Sequence, residues 1–243
     1  MVRVNTQQEF IRNDGRACTQ ARPLSLQYDQ FGYADCSVIL TIGGTCVQVS
    51  VTLQDGVPLF LRNSKTGWLT AEYAMLPTAT RTRTHRETEA LKKQGRSVEI
   101  ARLIGRCLRS MIDFKAIGER TIIVDCDVLQ ADGGTRAACI TAASYALSRA
   151  LLRWHTKGLV PSSVQFLPIA ALSAGIVDGR LMVDLSQQED MAASADVTFV
   201  CTRQLELVEV QGTSEKGPLA WDSFVQLKEM CWSSLEGFFS LTD

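Results

Sequence analysis

Apolar and polar positions alternate along the first third of the chain. Ser37-Val38-Ile39-Leu40-Thr41-Ile42 runs into Gly43-Gly44, and Cys46-Val47-Gln48-Val49-Ser50-Val51 follows. A period of two on both sides of a Gly-Gly step predicts a β-hairpin. The period then changes. Ile100, Leu103, Ile104, Cys107, Leu108, Met111 and Ile112 recur at helical spacing. They predict a helix that Ser97 can cap and whose other face carries Arg102, Arg106 and Arg109. Gly118 ends it, and Thr121 to Leu129 reads as a strand. A Gly133-Gly134-Thr135-Arg136 turn follows, then an Ala-rich helix from about Arg136 to Trp154. Beyond residue 160 the pattern predicts four strands: Phe166 to Val177, Leu181 to Leu185, Val197 to Cys201 and Leu205 to Val210. Asp178-Gly179 is a hairpin turn between the first two, and a last helix runs from about Trp221 to Phe239. Strands and helices in this order predict an α+β fold. We read residues 1–243 as one domain with two similar halves around one core, at about 10–155 and about 160–243.

Composition narrows the class. An apolar fraction of 46% over 243 residues is enough for a large core. The formal net charge of −1 means that a nucleic-acid site must be a local basic patch on a neutral body. One such stretch spans residues 79–96, where Arg81, Arg83, Arg86, Lys92, Lys93 and Arg96 face only Glu87 and Glu89. The eight cysteines form no CxxC pair and mostly sit in apolar runs. This argues against zinc and for reduced core thiols. The start MVRVNTQQEF lacks the apolar run of a signal peptide. The longest apolar stretch, about a dozen residues, is too short to cross a bilayer. A soluble, cytoplasmic protein with no membrane partner is expected.

Three features can carry chemistry. Two glycines at a strand-to-helix turn let an anion approach unpaired backbone N–H groups. There Thr135 adds a hydroxyl and Arg136 a forked cation suited to phosphate; an ordinary capped glycine turn has the same pattern. Asp184 and Asp190, with Glu189 beside them, follow a predicted strand and can hold a hard divalent cation; a solvated acidic loop is the alternative. Arg86 in the basic stretch can stabilise charge at a phosphodiester, or be part of a solvated charge run. No Walker-type Gly-Lys-Ser/Thr and no GxSxG is present, and neither His85 nor His155 has a ligand-like spacing.

Taken together, the segments resemble the RNase PH family of phosphorolytic exoribonucleases over nearly the whole chain. They are Asp14-Gly15-Arg16 with Arg22-Pro23, Gly67-Trp68-Leu69-Thr70-Ala71-Glu72-Tyr73-Ala74-Met75-Leu76-Pro77, Arg102-Leu103-Ile104-Gly105-Arg106 and Gly118-Glu119-Arg120-Thr121. Asp125 to Arg136, Gly175-Ile176-Val177-Asp178-Gly179 and Glu209-Val210-Gln211-Gly212-Thr213 complete the match. The resemblance implies two βαβα-type halves like the second domain of ribosomal protein S5, and a homohexameric ring of three dimers. It implies 3′-to-5′ trimming of RNA, in particular the 3′ end of tRNA precursors, with inorganic phosphate as nucleophile and nucleoside diphosphates as products. By the same resemblance Arg86, Gly134, Thr135 and Arg136 bind phosphate. Arg86, Asp184 and Asp190 are catalytic, the two aspartates holding Mg²⁺ or Mn²⁺, and Asp196 is a further acidic position with a structural role. The sequence departs from the family at Leu61 to Thr66, at Thr78 and at Ser186-Gln187-Gln188, which bears on RNA affinity. A non-catalytic, RNA-binding ring subunit of an exosome-like complex, or a nucleoside phosphorylase, are the other functions considered.

Overall fold

A computed structural model describes residues 11–86 and 95–240. The MVRVNTQQEF start and Glu87, Glu89, Lys92 and Lys93 of the basic stretch lie outside the described residues.

The predicted hairpin forms as β2 (Cys36–Ile42) and β3 (Thr45–Asp55), turning at Gly43-Gly44. Their register pairs Val38 with Val49 and Leu40 with Val47, so the apolar set of both strands faces one side. β1 (Leu24–Tyr28) adds to the outer edge of β2. On the other side of β3 lies β5 (Arg120–Gln130), antiparallel, and then β4 (Trp68–Met75), parallel to β5. The sheet order is therefore β1-β2-β3-β5-β4. A parallel pair needs a crossover, and α1 (Gly95–Arg109) supplies it. Its Ile100, Leu103, Ile104, Cys107 and Leu108 are buried, as the spacing predicts. Ser97 lies inside the helix and is itself buried.

The second sheet has the order β7-β6-β8-β9 and is antiparallel throughout. It comprises β6 (Ile169–Val177), β7 (Arg180–Val183), β8 (Ala195–Thr202) and β9 (Leu207–Ser214). The short α3 (Gln187–Ala192) links β7 to β8, and α4 (Trp221–Phe239) packs against β6 and β7. The halves thus run β1β2β3β4α1β5α2 and β6β7α3β8β9α4, an α+β arrangement.

The helix α2 (Thr135–Thr156) joins them. It contacts β2 and β3 on one side and β6 on the other. A helix covered on both sides cannot be amphipathic. This accounts for its alanines: Ala137, Ala138, Ala142, Ala143, Ala146 and Ala150 are all buried and let the two sheets approach. Buried hydroxyls on α2 also complete the open edge of β6. β7 pairs only with Ala174 to Val177. Ahead of that, Ile169 N–H donates to Ser144 Oγ and Ala171 N–H to Thr141 Oγ1, both at 2.9 Å. Leaving either of these two buried N–H groups unpaired would cost about 1–3 kcal/mol. Among the described residues no helix is long and apolar enough to cross a membrane.

Candidate active site

The turn between β5 and α2 is glycine for steric reasons. Gly133 and Gly134 both have positive φ, 81° and 66°. A Cβ on Gly133 would collide with the carbonyl oxygen of Leu185 in the loop after β7. Two glycines thus let the first-half turn lie against the second-half loop, and Gly134 becomes the start of α2 with no side chain over its N–H groups. Those N–H groups carry the positive end of a helix 22 residues long.

The turn's carbonyls are turned inward and held. Thr45 Oγ1 donates to Gly133 O at 2.6 Å and accepts from Asp132 N–H at 2.9 Å. Arg22 reaches the carbonyls of Asp132 and Gly133 with Nη1 and Nη2. Arg22 is buried, and its charge is matched by Asp184. Its Nη2 donates to Asp184 Oδ1 at 2.7 Å, while its Nε and backbone N–H both donate to Oδ2, at 2.8 and 2.7 Å. Burial works against the guanidinium charge, but the hydrogen bonds and charge of Asp184 outweigh it, so the pKa of Arg22 is raised. Arg12 and Arg16 clasp the same loop. Both donate to the carbonyl of Asp184, at 2.9 and 3.2 Å. Arg12 also pairs with Glu189 through its Nε at 2.7 Å and through Nη2. Glu189 caps α3 through the N–H of Ser186. Its partial burial would raise its pKa, yet Arg12 and Ser186 bring it below the ordinary value.

Above the turn lies a cavity of about 580 Å³. Gly133, Gly134, Thr135 and Arg136 form part of its floor, with Tyr73 and Met75 from β4. Tyr73 Oη lies 3.3 Å from Thr135 Oγ1, and burial pushes its pKa up to about 12. The wall from the second half carries Gln187, Asp190, Met191, Asp196, Thr198, Thr213 and Glu215; Thr84, His85 and Arg96 close it from the first. Arg136 is held by Gln211 Oε1 at 3.1 Å.

The acids facing this cavity are electrostatically unlike Asp184. Asp190 has a raised pKa, first from withdrawal from water and then from the charge of Asp196, with Arg96 and Arg136 acting in the opposite direction. Asp196 is raised by its half-burial, against the pull of Arg136.

The site residues expected from sequence therefore divide. Gly134, Thr135, Arg136 and Asp190 come together around the cavity. Asp184 does not join them: it is 2% exposed, both oxygens accept hydrogen bonds from arginines, and it does not line the cavity. Of the expected pair only Asp190 lines the cavity, and Asp196, read as structural, lines it too. Arg86 is exposed and follows His85, which lines the cavity, but is not itself in the lining. Arg96, read only as one charge of a basic stretch, is. The signal for Asp196 was present: it follows Asp190 by the same six positions that separate Asp190 from Asp184.

Comparison with known proteins places this arrangement. Residues 20–152 match the 3′ exoribonuclease family, domain 1, and residues 168–229 match its domain 2. The chain is 48% identical over 207 residues to ribonuclease PH of Corynebacterium glutamicum, covering 85% of this chain and 84% of the relative. It is 42% identical over 232 residues to ribonuclease PH of Moorella thermoacetica, covering 96% and 93%. The fold is shared with rice Rrp46, with a TM-score of 0.77, 17% identity and coverage of 95% and 98%. It is shared too with the Archaeoglobus fulgidus exosome, with a TM-score of 0.75, 22% identity and coverage of 94% and 92%. Matches over both halves, at this identity to ribonuclease PH and on a glycine turn facing a polar cavity, show that the chain belongs to the 3′ exoribonuclease family, of the ribonuclease PH type.

Proposed function

We infer that the cavity is where this phosphorolytic 3′-to-5′ exoribonuclease binds inorganic phosphate and the 3′ end of RNA. The observation that carries the reading is the start of α2 opening on the cavity, with Gly134, Thr135 and Arg136 in its lining and the turn's carbonyls held by Thr45 and Arg22. The N–H groups and Arg136 bind and orient phosphate. One phosphate oxygen then attacks the phosphorus of the terminal phosphodiester. The bond to the 3′ oxygen of the preceding nucleotide breaks, and that oxygen leaves with a proton as a new 3′ hydroxyl. The terminal nucleotide departs as a nucleoside diphosphate. Phosphate is a competent nucleophile at neutral pH, so positioning and charge stabilisation are the protein's main contributions. Arg136 supplies charge at the floor. Arg86 and Arg96 supply it at the rim, Arg86 engaging once RNA is bound.

The acidic pair fits a divalent cation. Two carboxylates facing one cavity, each with a raised pKa, gain from a shared hard cation that also takes phosphate oxygens and water. Among the described residues no three His, Cys, Asp or Glu side chains gather as a metal cage, so such a cation would rest on Asp190 and Asp196 together with substrate. Mg²⁺ or Mn²⁺ bound there would neutralise charge on the phosphates during transfer.

The natural substrates we propose are tRNA precursors, trimmed in the cytoplasm by a homohexameric ring. Exposed apolar side chains, Leu59 at 78% and Trp221 at 74% among them, support an assembly. Gln187, in the segment where the sequence departs from its family, lines the cavity and so bears on RNA choice. Incubation with oligo-RNA and Mg²⁺ tests the reading. Shortening that releases nucleoside diphosphates and stops when phosphate is omitted is expected. Shortening that continues without phosphate, or none with phosphate present, would overturn it.

A further inference from the structure

We propose that Asp184 is a positioning residue for the phosphate turn, acting through Arg22, and not a ligand of the metal. The proposal rests on the reading of that turn as the phosphate site.

The geometry is specific. Asp184 holds the Arg22 guanidinium on two edges, and the remaining reach of the same guanidinium goes to the carbonyls of Asp132 and Gly133. Those carbonyls belong to the peptides that carry the N–H groups of Gly133 and Gly134. A carbonyl fixed inward on a peptide forces its N–H outward, here toward the cavity. Arg22 Nη2 also lies 3.5 Å from where a Cβ of Gly134 would be, directly under the turn. The charge is balanced: Arg22 beneath the site is neutralised by Asp184, leaving the helix start and Arg136 to attract the anion.

Asp184 is itself held in place for this task. It has φ of 50°, a left-handed conformation that costs a non-glycine residue about 1 kcal/mol or more. Its N–H donates to Ser173 O at 2.6 Å, and its carbonyl accepts from Arg12 and Arg16. Both side-chain oxygens are engaged by Arg22, Oδ2 is approached further by Arg16 at 3.4 Å, and Asp184 is not among the residues that line the cavity. A ligand of a metal in the cavity has to reach it with an oxygen. Arg22 thus links the side chain of this aspartate to the Asp132 and Gly133 carbonyls of the turn.

The test separates phosphate binding from metal binding. Titration of the full-length protein with inorganic phosphate by calorimetry, without RNA or metal, gives the phosphate Kd. RNA shortening at varied Mg²⁺ gives the half-saturating metal concentration. Asp184→Asn should weaken phosphate by roughly tenfold or more, since small misplacement of a binding group is costly, while the Mg²⁺ requirement stays within about twofold. Arg22→Lys keeps the ion pair but loses the fork. It should show the same split, and it decides the matter if Asp184→Asn does not fold. Unchanged phosphate affinity in the folded variants, or a raised Mg²⁺ requirement in Asp184→Asn, would overturn the proposal. Arg136→Ala is the control for the reading beneath it: if that variant binds phosphate as tightly as the parent, the turn is not the phosphate site at all.

Discussion

The two sides of one glycine turn are built on opposite electrostatic plans. Below it, Asp184 is buried and saturated by Arg22 and Arg16, and Glu189 by Arg12. Above it, Asp190 and Asp196 share a cavity, the charge of Asp196 disfavours that of Asp190, and Arg96 and Arg136 act on both in the opposite direction. Residue type and spacing are the same, for Asp184, Asp190 and Asp196 follow at six-residue intervals. Position decides: Asp184 follows the last residue of β7 and turns under the helix start, whereas Asp190 lies on α3 and Asp196 on β8. The lower cluster ties the glycine turn to the loop after β7, and the upper one lines the cavity.

The largest effect should come from breaking the lower side. Arg22→Ala leaves Asp184 buried without its main partner, a loss of about 3–5 kcal/mol, visible as a lower denaturation midpoint at unchanged buffer. The same kind of change above the turn should separate activity from stability. Arg136→Ala should lower phosphate-dependent turnover by about 10²-fold or more. Its unfolding free energy should move by no more than about 0.5 kcal/mol, because the side chain is itself partly exposed and so is Gln211, which it bonds.

The smallest and most diagnostic effects concern pH. Raised carboxyl pKa values mean that the native state holds protons on Asp190 and Asp196 more tightly than the unfolded chain does. The pair therefore favours folding only at low pH, and that contribution is lost as pH rises through the native pKa values. Asp196→Asn should accordingly raise the thermal midpoint slightly at pH 7, with the gain vanishing in acid. It should also lower the Asp190 pKa, followed by carboxyl NMR titration. An Asp190 pKa that does not move would show that the two carboxylates do not sense one another.

Much of the fold was legible because its period is local. The β2–β3 hairpin, α1, β5, α2 and α4 all announce themselves in apolar spacing, and α2 and α4 lie within two residues of their predicted ends. β1 has only five residues, half-buried by turns, and was missed. The strand read from Phe166 begins at Ile169, where Ser144 and Thr141 first supply partners. The strand read to Leu185 stops at Val183, because the left-handed Asp184 turns the chain away. The phosphate turn was visible as glycines at a helix start. The burial of Asp184 was not, since it depends on arginines more than 160 positions away in sequence. Nor was the placement of Asp196 with Asp190 on one cavity, which the six-residue spacing permits but the course of β8 produces.

One measurement bears most directly on the claim that phosphate attacks from the floor of this cavity. Oligo-RNA is incubated with the protein, Mg²⁺ and isotopically labelled inorganic phosphate, and the released nucleotides are analysed. Nucleoside diphosphates carrying the label in the terminal phosphate, formed by the parent protein and lost in Arg136→Ala, are expected. Unlabelled nucleoside monophosphates, or full labelling in the Arg136 variant, would contradict the account.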